Sequence, residues 1–241
     1  MFAGPNGSGK STIKNQLGKP PGWFGIYINP DDLEATIRTT GVFSPADLGL
    51  AVAASEVRAY FATSSFLRQQ GLQASADTIV DCDGGIDFSR VGFHSYHASV
   101  LSDFLRRRAL AERTSFTFET VMSVRDKVEL LRDAQTQGFR TYLYFIGTED
   151  PAINVQRVLN RVAAGGHDVP VNKIVERHAR SLALLPDALE CANRAFLFDT
   201  SGEEPWYFAE VIEGTAIELQ SDAMPRWFKR IWDEIFPESP L

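Results

Sequence analysis

The sequence predicts an α/β protein: a five-stranded, mainly parallel sheet flanked by helices, with a helical insertion and a C-terminal β-hairpin followed by a helix. Short apolar runs alternate with amphipathic stretches from one end of the chain to the other, as they do when helices cover a parallel sheet. The apolar runs are rich in aromatic and β-branched residues. A glycine-rich stretch, "MFAGPNGSGKST" (1–12), joins the first of them to a helical pattern.

The first strand covers residues 1–4. Strands commonly run about five or six residues, so its shortness points to a natural start upstream of Met1. The other strands are "FGIYIN" (24–29), "SFTFE" (115–119), "TYLYFIG" (141–147) and "AFLFD" (195–199). Helical patterns fall near 9–17, 31–39, 46–70, 95–112, 124–137, 151–163 and 171–191. In the last of these, Ile174, His178, Leu182, Leu185 and Leu189 recur at helical steps, so His178 reads as packing rather than catalysis. "WYFAEVIEG" and "TAIEL" suggest a hairpin, with a terminal helix over 225–236. Segment 72–98 breaks the periodicity and reads as an insertion. No internal repeat or low-complexity tract is present, which argues against a solenoid.

With 241 residues, 44% apolar and 23% charged, the chain reads as one globular domain spanning 1–241. The formal net charge of −7 argues against nucleic acid as the main partner. Cys82 and Cys191 lack the spacing of a zinc site or a disulfide framework, which fits a reducing compartment. The chain shows neither a signal-peptide pattern nor a long apolar run, so we expect a cytoplasmic protein without a membrane partner.

Gly4, Gly9, Lys10 and Ser11 match G-x-x-x-x-G-K-[ST] between a strand and a helix, which is the context of a phosphate-binding P-loop. Glycines there let backbone amides turn toward phosphate oxygens. The nucleotide-binding set is therefore Gly4, Asn6, Gly7, Ser8, Gly9, Lys10, Ser11 and Thr12. Lys10 reaches the β- and γ-phosphates, and Ser11 supplies a hydroxyl ligand for Mg²⁺. ATP and Mg²⁺ are the expected cofactors.

"INPDDLEA" follows the second strand. Asp31 with Glu34 resembles a capping box. The carboxyl end of that strand is equally where ligands bind in doubly wound sheets, so Asp31 is a candidate for orienting an acceptor hydroxyl, with Asp32 as the alternative one residue on. Glu119 and Thr120 close the strand "SFTFE". The next helix has its own capping set in Ser123 and Asp126, which leaves Glu119 and Thr120 for a substrate or a magnesium-bound water, or simply solvated. In "PAINVQRVLNRVAAGGHDVP" (151–170), Val155, Val158, Leu159 and Val162 form one stripe, while Asn154, Arg157 and Arg161 share the opposite face. Such a face is either solvated or binds phosphate through planar guanidinium forks. Arg177 is a third candidate. Gly165 and Gly166 would let 151–170 close as a lid, with His167 contacting phosphate or capping the loop.

In this order, "AGPNGSGKST", "YINPDDLEA", "FTFETVMS", "RVLNRVAAGGHDVP", "ERHARSL" and "FLFDTSG" resemble the zeta toxin family of P-loop kinases over roughly residues 1–202. The resemblance implies transfer of the γ-phosphate of ATP to a hydroxyl, in the founding toxins on UDP-N-acetylglucosamine. It makes Lys10 and Ser11 holders of phosphate and Mg²⁺, and Asp31 the group that orients the hydroxyl. Glu119 and Thr120 would line the acceptor pocket, while Arg157 and Arg161 would be the phosphate-binding lid arginines. A toxin role would add an antitoxin protein to the partners, beside a nucleotide-sugar-like small molecule. Departures from the family are His178 where Tyr is common, Thr200 where Asn is common, and segment 72–98.

Two other readings compete. "TIVDCDGG" carries the Asp81-x-x-Gly84 pattern of a GTPase or ATPase switch, yet N-K-x-D is absent, since "NKIV" (172–175) lacks the Asp. A kinase acting on a nucleoside, nucleotide or other small molecule would share the loop and the arginines. An acid in the position of Asp31 suits a hydroxyl acceptor, because an acceptor phosphate would be repelled by it.

Overall fold

The computed structural model describes residues 1–18, 22–166 and 168–235. In chain order its elements are β1 (Phe2–Ala3), α1 (Lys10–Gln16), β2 (Ile26–Ile28), α2 (Pro30–Thr40), β3 (Val42–Phe43), α3 (Ala54–Thr63), α4 (Ser65–Gln69), β4 (Val80–Cys82), β5 (Gly85–Asp87) and α5 (Ser95–Ala111). They continue with β6 (Phe116–Thr120), α6 (Asp126–Thr136), β7 (Tyr142–Gly147), α7 (Pro151–Ala163), α8 (Val171–Ala183), α9 (Leu185–Glu190), β8 (Arg194–Asp199), β9 (Trp206–Ile212), β10 (Ala216–Leu219) and α10 (Arg226–Ile235). The chain divides into two compact units, Met1–Gly18 with Glu119–Leu241, and Lys19–Phe118.

In the first unit β1 pairs in parallel with the end of β6 and with β7, and β7 pairs in parallel with β8. The hairpin of β9 and β10 then adds antiparallel to β8. In the second unit β2 pairs in parallel with Phe116–Phe118 of β6. The main sheet is thus seven-stranded and mainly parallel, not five-stranded. The expected hairpin extends the sheet instead of standing apart, because Phe208, Ala209 and Val211 of β9 are fully buried.

The first strand is shorter than expected because Gly4, at φ 145°, already begins the loop. A Cβ at Gly4 would lie 2.1 Å from the Ile146 carbonyl oxygen, so only glycine lets the backbone leave the sheet there. At the far end, α10 sets the fully buried Trp227 where Gly147 has no side chain, since a Cβ there would meet the indole at 2.4 Å. The Trp227 indole N–H donates to Asp199 Oδ2 at 2.7 Å, and its backbone N–H to Glu149 Oε2 at 3.2 Å. The expected helix over 171–191 is two helices, α8 and α9, with Pro186 in the first turn of α9.

The second unit has its own core, which includes Ile28, Ile37, Phe43, Val57, Phe61, Phe88, Leu101 and Leu105. The pattern over 46–70 is not one helix. A 3-10 turn at Pro45–Leu48 ends at Gly49 (φ 66°), and Ser64 separates α3 from α4 by accepting the Leu67 N–H at 3.2 Å. Segment 72–98 holds a 3-10 turn and the strands β4 and β5, which form a three-stranded sheet with β3. Asp81 on β4 accepts the Ala54 N–H at 2.8 Å, so this acid of the switch-like pattern secures the start of α3.

Candidate functional site

The loop between β1 and α1 has the shape of a phosphate cradle. Gly7 and Gly9 have φ of 74° and 84°, and Gly9 is the N-cap of α1. Among the described residues no side chain caps that helix. A Cβ at Gly9 would meet nothing within 4 Å, so that flank of the loop is open. Gly7 has the opposite surroundings: a Cβ there would lie 2.7 Å from the Asn154 carbonyl oxygen.

The carbonyls of Gly4, Pro5, Asn6, Ser8 and Gly9 each have a donor. Lys10 Nζ donates to the carbonyls of Gly4 and Pro5, each at 2.8 Å. The Asn6 carbonyl accepts from Asn154 Nδ2 at 2.7 Å, and the Ser8 carbonyl from Thr200 Oγ1 at 2.9 Å. The Gly9 carbonyl takes the Ile13 N–H at 3.0 Å. With the Asn6 and Ser8 carbonyls held by Asn154 and Thr200, a glycine-rich turn at the start of a helix is a place where backbone amides attract anions.

Ser11, exposed on the first turn of α1, donates its hydroxyl to Glu119 Oε2 at 2.8 Å. Lys14 Nζ stands 3.6 Å from Glu119 Oε1. The structure therefore brings Ser11 and Glu119 together and adds Lys14, which the motif does not mark. Lys14 follows Lys10 by one helical turn, and that spacing is the signal that could have found it. Thr12 is exposed. Thr120 serves the backbone: its carbonyl accepts the Gly4 N–H at 3.2 Å, and its hydroxyl accepts the Met122 N–H at 3.0 Å in a turn where Met122 has φ 52°. The expected capping of α6 by Ser123 and Asp126 is absent, since the N-cap is Arg125 without a side-chain bond.

Helix α7 begins with Asp150 accepting the Ala152 N–H at 2.8 Å, and Pro151 preset for the first turn. Val158, with Val155 and Val162, packs into a small cluster with Val169 and Ile174. Leu159 of the expected stripe is 47% exposed instead. Asn154, expected on an outer face with the arginines, is fully buried. It lies one turn before Val158, a spacing that marks the inner side. Its Oδ1 accepts the Thr148 hydroxyl at 2.5 Å. His178 is buried as expected, and its Nε2 donates to the Thr148 carbonyl at 3.0 Å.

Arg157 is turned to the loop after β8. Its Nη2 donates to the Thr200 carbonyl at 2.6 Å and the Gly202 carbonyl at 3.3 Å, and its Nη1 to Thr200 Oγ1 at 3.3 Å. Arg161 is exposed and Arg177 half-buried. His167 lies outside the described residues.

In the second unit the helix α2 starts at Asn29, whose side chain accepts the Asp31 N–H at 3.0 Å, with Pro30 in the first turn. The expected capping box of Asp31 and Glu34 is thus replaced by Asn29, and Glu34 pairs with Arg38 at 3.3 Å. Asp31 and Asp32 are exposed, and the cap needs neither carboxylate.

No protein-family model and no curated protein matches the chain. Among solved structures, one similar chain comes from the crystal structure of AvrRxo1-ORF1:AvrRxo1-ORF2 with sulphate ions, with 16% identity and a TM-score of 0.45. The match covers all of this chain and 64% of that one, so the present chain spans less than two thirds of its length. A second comes from the PezAT chromosomal toxin-antitoxin system of the human pathogen Streptococcus pneumoniae, with 12% identity and a TM-score of 0.49, covering all of this chain and 78% of that one. Identities and scores this low transfer no residue role.

Proposed function

We propose that the protein is an ATP-dependent phosphotransferase that moves the γ-phosphate to a hydroxyl of a small substrate of the nucleotide-sugar type. The observation that carries the reading is the loop Gly4–Ser11, whose glycines hold positive φ and whose carbonyls at Gly4, Pro5, Asn6 and Ser8 are engaged by Lys10, Asn154 and Thr200. A triphosphate fits such a cradle because its oxygens can accept from amides at the start of α1 and from Lys10 in place of the carbonyls of Gly4 and Pro5. Mg²⁺ fits the Ser11 hydroxyl and Glu119 carboxylate, hard oxygen donors 2.8 Å apart. When bound, the ion would neutralise charge on the phosphate oxygens.

The chain's own groups divide the work. Lys10 exchanges the carbonyls of Gly4 and Pro5 for phosphate oxygens. Asp31, spared from capping by Asn29, is the carboxylate to which we assign the acceptor hydroxyl; phosphoryl transfer through a loose transition state asks for orientation more than strong basicity. Asp32 and Arg177 are assigned to the substrate. Arg161 faces the charge of the transferring group, on the part of 151–170 that would close. The order of motifs resembling zeta toxins supports a toxin role with an antitoxin partner.

The test is incubation with γ-labelled ATP and a panel of UDP-sugars, nucleosides and a metabolite extract, followed by mass spectrometry of labelled products. A labelled hydroxyl compound is expected, and Lys10→Ala should lower its formation at least about a hundredfold. Label found only in free phosphate would replace the reading with an ATPase or switch.

A further inference from the structure

A row of glycines is a poor cradle unless something fixes it. Gly4, Gly7 and Gly9 all hold positive φ, and an unrestrained glycine segment samples many other conformations. Ordering it on ligand binding costs conformational entropy at every residue. Within the motif Lys10 holds the carbonyls of Gly4 and Pro5, and the groups that hold those of Asn6 and Ser8 lie outside it.

Those groups lie on α7 and at the ends of β7 and β8. Asn154 is fully buried, and each end of its amide has a partner: Oδ1 takes the Thr148 hydroxyl, and Nδ2 holds the Asn6 carbonyl. Burying an amide is unfavourable unless both ends are paired. An apolar residue would fill the same space, so the loop-facing amide is explained by the carbonyl it grips. Its backbone also walls in Gly7, where a Cβ would sit 2.7 Å from the Asn154 carbonyl oxygen. Behind it, His178 fixes the Thr148 carbonyl.

A second grip holds the other side. The Thr200 hydroxyl donates to the Ser8 carbonyl, and the Thr200 backbone N–H donates to the Gly147 carbonyl at 3.0 Å. Arg157 fastens Thr200 through both its carbonyl and its hydroxyl. The planar donor fork of Arg157 is thus directed at protein oxygens.

We infer that Asn154 and the Arg157–Thr200 pair are positioning residues that set the phosphate loop in its binding shape before nucleotide arrives, with Arg157 acting through Thr200. For its effect on affinity this inference rests on the nucleotide reading above; its effect on loop order does not.

The experiment measures amide hydrogen exchange over residues 4–12 in nucleotide-free full-length protein, together with ATP affinity by calorimetry. The variants are Asn154→Ala, Thr200→Val, Thr200→Ser, Arg157→Ala, Arg157→Lys and the Arg157→Ala/Thr200→Val double variant. Asn154→Ala and Thr200→Val should each speed loop exchange about tenfold and weaken ATP binding by a similar factor. Thr200→Ser keeps the hydroxyl and should restore both. Arg157→Ala should match Thr200→Val, the double variant should be no worse than either, and Arg157→Lys should not rescue, because an ammonium cannot span carbonyl and hydroxyl together. Thr200→Val is nearly isosteric, so the test survives if Asn154→Ala fails to fold. Unchanged exchange in Thr200→Val would overturn the grip, and additive losses in the double variant would overturn the Arg157 assignment. Altered loop exchange in a protein that binds no ATP would leave the grip standing and remove the nucleotide reading instead.

Discussion

Around the phosphate loop of the first unit, buried polar side chains do the holding: Asn154 and Thr200 grip the carbonyls of Asn6 and Ser8, with Thr148, His178 and Arg157 behind them. The second unit is held by apolar and aromatic packing around Phe61, Phe88 and Leu101, and it carries Asp31 and Asp32 on an exposed first turn of α2. A triphosphate site of the kind proposed gains from being rigid in advance, since the same phosphates arrive each time. The acid to which the proposal assigns the acceptor needs only a fixed helix start, which Asn29 and Pro30 supply.

If packing carries the second unit, Phe61→Ala should cost about 3–5 kcal/mol, read as a loss of unfolding free energy in urea. Phe61 is fully buried, with ring centroids of Phe88 at 6.2 Å and His97 at 6.1 Å. A cost below about 1 kcal/mol would mean the core collapses around the gap. Next in size, Asp31→Asn should lower phosphoryl transfer by about a hundredfold while ATP affinity stays within a factor of about two. Full transfer by this variant would move the orienting acid elsewhere.

A smaller effect belongs to pH. His97 is fully buried against Phe61 and Phe93; its Nδ1 accepts the His94 N–H at 3.4 Å and its Nε2 stands 3.2 Å from Ser75 Oγ. Burial, with the neighbouring His94, holds its pKa down at about 4, against 6.5 for a free histidine side chain. The folded state keeps His97 neutral where the unfolded chain binds a proton, so its contribution is fully present above pH 6.5 and is lost as pH falls toward 4. The melting temperature should therefore fall over that range more steeply in the wild type than in His97→Gln, and equal slopes would assign the acid sensitivity to other groups. Smallest is Asp32→Asn, expected to raise the substrate KM by no more than about threefold, because a substrate contact from an exposed carboxylate is worth little. A loss of transfer as large as that of Asp31→Asn would exchange the two roles.

The shape of the loop Gly4–Ser11 was legible because its motif specifies residue types at fixed spacing, whereas the Ser11–Glu119 contact joins residues 108 apart, and the sequence marked Glu119 only by its place at a strand end. The strands were legible from apolar runs, apart from β3, β4 and β5, which are two or three residues long and show no periodicity. The grip on the loop was not legible. Asn6, Asn154 and Thr200 are distant in sequence, and an asparagine on a helix with two arginines looks solvated until folding buries it. The cap of α2 was misplaced for a related reason: an Asp followed by Glu three residues on satisfies the capping-box pattern, yet the residue just before Pro30 occupies the cap.

The empty place above Gly147, filled by the Trp227 indole, has a practical bearing on how the protein can be handled. Any version trimmed before α10 would expose the end of β7 and strip Asp199 of its indole partner, one residue from the threonine that steadies the loop. Such a version should turn sticky and loosen the loop between β1 and α1 at once, so tags and fusions belong beyond that helix rather than in its stead.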